Sequence, residues 1–452
     1  MKTLTVPPGI SDITATPMPA HRDDWERRLL RDPNLLRDIA DRIGGPFHLM
    51  YPERVEHNIR AFQRVFDRSG VVGAIYYGKK ANKSPSVVRA CAKAGAGVDV
   101  SSSGELLSAL RGGVCGTDLV VTGPAKDDRL LELSTTYGAL IAVDDLDELA
   151  RLTGLGIRSR VLLRVLPPES PSRFGMTVDE LDLALTLADP DAIRLEGFSF
   201  HLSGYAAEPR AELAGALIDR CREARGLGHP ITTISIGGGF GVDYLPADAW
   251  ETFLDGVNPR WFHGDRAPHP ERYYPYHCPV PGPAMLAAVL SHENLGYRLR
   301  EAGIRLAIEP GRALLDQAGC SVFRVQGVKV RRAHGIPYAI LTVNGSSLSL
   351  SEQWFDSEFL PDPALWPEYP GAVTPTCVGG STCLEEDMLS WRRIPLPRAA
   401  TTDDLLIYPN TAGYQMDSNE SKFHELPIPP KVVLRNSADG RQFQWASEDP
   451  EI

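Results

Sequence analysis

Between residues 74 and 311, short apolar runs alternate with amphipathic segments of helical length, and this alternation restricts the fold more than any other property of the sequence. The runs are AIYYGKK, GVDVSS, DLVVTG, ALIAVDD, RVLLRVLP, LEGFSFHLSG, TTISIGGG and RLAIEPG. Strands separated by helices are the pattern of parallel βα units, and eight such strands predict a (β/α)8 barrel. Helix signals fit the gaps: SPSVVRACAKAGAG has a Ser cap, a Pro in its first turn and a glycine stop. No fixed-period repeat points to a solenoid.

After Gly319 the texture changes to short strands and turns, as in CSVFRVQGVKVRR, PYAILTVNG, TPTCVGG and DLLIYPN. The expected organisation is a barrel over 53–315 and a mostly-β, sandwich- or barrel-like domain built from 1–52 and 316–452, whose sheet PFHLMY joins. An insertion at about 245–305 interrupts the barrel and includes NPRWFHGDRAPHPERYYPYHCPVPG. A connection this long is more often functional than filler, which favours a lid or substrate wall over aromatics merely packed on the barrel.

Forty-seven Lys and Arg against 58 Asp and Glu leave a net charge of −11, the wrong sign for a general nucleic-acid binder. No apolar run is long enough to span a bilayer, and MKTLTVPPGISDITATPMPAHRDDW lacks the apolar core of a secretory signal. The seven cysteines are dispersed without CxxC pairs, so a cytoplasmic, reducing setting is expected.

Several residues could carry chemistry. Lys79 and Lys80 end the AIYYGKK strand at the expected C-terminal mouth, where barrel enzymes keep their sites. Strand alternation lets at most one face inward, and desolvation there would make its amine nucleophilic. The glycines of ISIGGGFG can close their backbone on a phosphate. Glu309 and Arg312 flank a Pro-Gly turn at another strand end, and His201 lies on an apolar strand. Cys383 stands beside three carboxylates in GGSTCLEED, with no His at metal-ligand spacing, so no metal is expected.

Taken in order, KAN, DVSSSGEL, RFGM, FHLSG, GGGFG, EPGR, CLEED and AGY resemble the fold-type III pyridoxal-phosphate decarboxylases, the group acting on ornithine, arginine and diaminopimelate. The resemblance implies an alanine-racemase-like barrel with a C-terminal β domain, pyridoxal 5'-phosphate as cofactor, a small amino acid as substrate, and a homodimer with shared active sites. It implies that Lys80 forms the internal aldimine, with Lys79 its outward-facing neighbour. It makes His201 the imidazole on the cofactor ring and Gly237, Gly238 and Gly239 the phosphate glycines. Glu309 becomes the partner of the pyridine nitrogen, Gly311 and Arg312 cofactor contacts, and Tyr414 a residue near the phosphate. Asp99, Glu105 and Arg164 match polar residues around the lysine. Cys383 matches the general acid supplied by the second subunit, which protonates the quinonoid carbon.

Two departures stand out. In His201-Leu202-Ser203-Gly204 the serine stands one place earlier than in the family's His-x-Gly-Ser, with Ser203 still the candidate phosphate contact. Leu384 replaces the acid that follows the family's cysteine and binds the far end of the substrate. Glu385 and Glu386 are the remaining candidates for substrate contact, and a larger or more apolar amino-acid derivative is expected. The alternatives are a racemase or epimerase on the same fold and a non-catalytic cofactor-binding protein.

Overall fold

The computed structural model describes residues 5–350 and 358–448; the parts of the expected domains at 1–4, 351–357 and 449–452 lie outside the described residues. The chain divides into two compact units, one of Val55–Gly241 and Val280–Leu314, the other of Met1–Arg54, Val242–Pro279 and Leu315–Ile452.

The first unit is built on eight parallel strands: β1 (Gly73–Gly78), β2 (Gly97–Val100), β3 (Leu119–Val121), β4 (Leu140–Val143), β5 (Ser159–Arg164), β6 (Ile193–Ser199), β7 (Thr233–Ser235) and β8 (Arg305–Ile308). Each pairs with the next and β8 pairs back onto β1, closing the barrel anticipated from the eight runs. The strands read as nearly continuous apolar stretches because both faces are covered. Tyr76, Val120, Leu140, Leu162 and Ala307 form one buried cluster. Strand ends are marked by caps: Ser84, Ser102, Asp127, Asp145 and Thr177 each accept a backbone N–H at the start of the next helix. Such caps are each worth about 1 kcal/mol.

The other unit holds a mixed sheet of nine strands among the described residues. Phe47–Met50 sits inside it, antiparallel to Gly319–Ala333 and parallel to Lys431–Asn436. Helices Asp24–Arg31 and Leu35–Ile43 bury Trp25, Leu29, Leu36 and Ile39 in one core with Phe47, Cys320, Ile407 and Val432 from that sheet.

Residues 245–305 divide between the units. The aromatic part packs into the β unit: Tyr244, Phe253, Phe262, Tyr274 and Tyr276 are all buried, and Tyr244 stacks edge-on with Tyr274, Tyr276 and Phe359. The tyrosine rings pack against one another and against Phe359. The remainder forms helices Gly282–Ser291 and Leu295–Glu301 of the barrel unit. Among the described residues no helix is long and apolar enough to cross a membrane.

Candidate active site

The C-terminal ends of β1, β2, β6, β7 and β8 bring the candidate residues to one mouth. After β1 the chain turns at once into a 3-10 helix, Lys79–Ala81, so that turn and not strand alternation separates the two lysines. Lys79, expected to face outward, is instead buried by that turn and 3% exposed. The Lys80 side chain is 59% exposed and places Nζ 3.2 Å from Asp99 Oδ2. Asp99, 2% exposed on β2, also accepts the Thr122 hydroxyl at 2.6 Å, so its carboxylate is fixed before it meets the amine. An added Cβ at Gly78 would lie 3.6 Å from Lys80 Nζ and 3.7 Å from the Glu309 carbonyl, so the amine and the start of the EPGR turn share this corner.

Glu309 follows β8 and is tied to the β7 loop, its N–H donating to the Gly237 carbonyl at 2.9 Å. The Ser235 hydroxyl donates to Glu309 Oε1 at 2.6 Å. Burial first, then the charge of Asp99, push this carboxyl up to about 7, against the pull of Ser235, Lys80 and Arg164. A group poised there holds or releases a proton near neutrality. His201 opens to solvent on one side, yet loses much of its hydration to the surrounding loops. That loss, followed by Lys80, Arg164 and Arg210, lowers its pKa to about 4. The ring is therefore neutral at pH 7, and its Nδ1 accepts the Gly238 N–H at 3.4 Å.

The glycines are required where they stand. Gly237 and Gly239 have φ of +66° and +80°. A Cβ on Gly237 would sit 2.8 Å from His201 Nδ1, and one on Gly238 would sit 2.8 Å from the Glu309 carbonyl. Backbone, not side chain, thus faces an incoming group. Arg164 bonds Asp144 Oδ1 at 3.2 Å and lies over the Phe174 ring. Arg312 is 5% exposed in the turn after Gly311.

The remaining candidates have partners of their own. Glu105 accepts the Ser101 N–H at 2.8 Å while its own N–H donates to Ser102, which makes it part of a helix start. Cys383, Glu385, Glu386 and Tyr414 belong to the β unit. Cys383 is exposed, with Sγ 3.1 Å from His424 Nε2. Glu385 and Glu386 are exposed, whereas the third carboxylate, Asp387, turns inward and accepts from Thr382, Ser346 and Ser347, holding the loop shut. Tyr414 has φ of +78° in a turn whose carbonyl accepts the Asp417 and Ser418 N–H groups. Sequence reasoning missed Ser235; its position two residues before Gly237 on an apolar strand was the available signal.

A cavity of about 810 Å³ opens at the opposite end of the barrel between Arg160, Arg194, Glu196 and Arg305. Glu196 binds both Arg160 and Arg194 there. Barrel chemistry occurs at the other face.

An amine for an aldehyde, a protonatable carboxyl for a ring nitrogen, a neutral imidazole and a bare glycine turn together fit pyridoxal 5'-phosphate. Residues 53–258 match the family model described as the pyridoxal-binding domain of pyridoxal-dependent decarboxylases. The chain is 40% identical to an uncharacterized protein, y4yA, of Sinorhizobium fredii, over 90% of this chain and 91% of that one. It is 28% identical to a diaminopimelate decarboxylase of Actinosynnema pretiosum, over 88% and 86%. The diaminopimelate decarboxylase of M. jannaschii, solved with L-lysine, superposes with a TM-score of 0.72 at 19% identity, covering 91% and 92%.

Proposed function

This chain belongs to the fold-type III pyridoxal-phosphate decarboxylases, and from that premise we propose that it removes the α-carboxyl of an amino acid or amino-acid derivative. The observation that carries the reading is the pairing of Lys80 with buried Asp99 at the same barrel mouth as Glu309, whose carboxyl is pushed up to about 7. Pyridoxal phosphate, when bound, supplies the electron sink that a departing carboxyl group requires.

The chain's own residues do the rest. Asp99 holds the Lys80 amine at the corner where the cofactor aldehyde must arrive. Glu309, steadied by Ser235, would face the ring nitrogen as a group able to hold its proton, whereas alanine racemase, on the same fold, resembles this family but carries an arginine there. A neutral His201 would line the cofactor ring without adding a competing positive charge. Gly237–Gly239, Ser203, Gly311, Arg312 and Tyr414 are the proposed phosphate and cofactor contacts, and Glu105 is retained only as a helix-start residue. Cys383, supplied by a second copy in a homodimer, returns a proton to the α-carbon as general acid.

Leu384, 45% exposed where the family carries an acid, puts no charge at that position to hold a distal amine. The substrate is accordingly larger or more apolar than ornithine or diaminopimelate, with Glu385 and Glu386 as flanking contacts. Screening amino acids in deuterium oxide tests this. Release of CO2 with one deuterium in the product supports the reading; α-hydrogen exchange with the carboxyl retained would show a racemase. Efficient turnover of ornithine or diaminopimelate would overturn the substrate assignment.

A further inference from the structure

Arg210 lies in the first turn of helix Glu208–Gly226 and is 1% exposed. A cation at a helix N-terminus opposes the helix dipole, and an unpaired buried guanidinium is costly. Among the described residues no carboxylate pairs with it. Every partner is a backbone carbonyl: Leu202 and Gly204 at 2.7 Å, Ala206 at 2.8 Å and, more weakly, Gly238 at 3.4 Å. Arg210 thus ties the loop after β6 to the glycine loop after β7. A Cβ on Gly239 would fall 2.1 Å from its terminal nitrogen, so the guanidinium packs directly behind that loop.

Trans peptides point each carbonyl opposite to the next residue's N–H. Carbonyls of Leu202, Gly204 and Gly238 drawn toward Arg210 therefore turn the N–H groups of Ser203, Tyr205 and Gly239 away from it. The N–H groups of Ser203 and Gly239 donate to no acceptor among the described residues. The result is a set of backbone donors on two adjoining loops with a buried positive charge behind them, the elements from which anion-binding nests are built.

We infer that Arg210 is a positioning residue for the cofactor phosphate: it orders two loops into one anion nest and supplies the charge behind it. It acts through the backbone, and so compensates for the serine that stands one place earlier than in the family pattern. This rests on the glycine loop being the phosphate site.

The test compares pyridoxal 5'-phosphate with pyridoxal, which has the same ring and aldehyde but no phosphate, by absorbance titration of cofactor-free protein. In Arg210→Met, phosphate-ester affinity should fall at least about tenfold while pyridoxal affinity holds within about twofold, and Arg210→Lys should recover part of the loss. Should Arg210→Met fail to fold, Gly239→Ala, which drives a methyl into the guanidinium, should show the same selective loss. An unchanged preference for the phosphate ester, or equal loss of both ligands, would overturn the inference. A wild-type protein with no preference would overturn the phosphate site itself.

Discussion

At the residue scale, Glu309 carries the clearest pH signature. Its carboxyl rises from an ordinary 4.5 to about 7 in the cofactor-free protein, chiefly through burial. Between those values the folded chain keeps a proton that the unfolded chain has released, so stability falls as pH rises across that window. Glu309→Gln removes this loss. Relative to wild type, the cofactor-free variant should gain on the order of 2 kcal/mol from about pH 5 to pH 8 in denaturant unfolding. His201 has the opposite tendency but is common to both proteins and cancels. A difference that stays flat across the range would contradict the assignment. Cys383 makes a separate prediction: Cys383→Ala should retain the cofactor's visible absorbance and lose at least about 100-fold in turnover. Undiminished turnover would remove it as the acid.

Among the elements, the β3 and β4 loops are joined by an ion pair buried inside the barrel wall. Lys126 Nζ lies 3.0 Å from Glu148 Oε2 and also bonds the Gly123 and Ala142 carbonyls. Glu148 further accepts the N–H groups of Lys126 and Asp144, and Asp144 holds Arg164 at the mouth. Glu148→Ala strands a buried ammonium, so it should cost about 3–5 kcal/mol in unfolding measurements, whereas Asp24→Ala, which breaks the exposed pair with Arg27, should cost under about 1 kcal/mol. Equal effects would show that the buried pair is not a structural joint. The strands and caps of this barrel were legible because each is a local signal: an apolar run, then Ser, Asp or Thr. Ser235 and Arg210 were not, since a serine between isoleucines reads as core and an arginine in a helix reads as solvated. Their roles arise from loops that meet only in the closed barrel. Lys80 stands beside Asp99 at the end of β1, although the turn at Lys79–Ala81 replaces the strand alternation invoked for it.

On the scale of the whole molecule, the candidate residues divide between two units, with Lys80, His201, Gly237–Gly239 and Glu309 in the barrel and Cys383 and Tyr414 in the β unit. The destination of residues 242–279 was not legible, because aromatic density announces burial without naming the partner. If each active site takes Cys383 from a second copy, Lys80→Ala and Cys383→Ala proteins, each inactive, should regain activity when mixed. Random exchange leaves one intact site in half the dimers, about one quarter of wild-type activity. No recovery under conditions that exchange subunits would contradict shared sites. Beneath all of these stands the proposed attachment of the cofactor to one amine. Borohydride reduction of the yellow protein, followed by proteolysis and mass spectrometry, should place the pyridoxyl group on Lys80. Its appearance on Lys79 or Lys83, or on no lysine at all, would contradict the site.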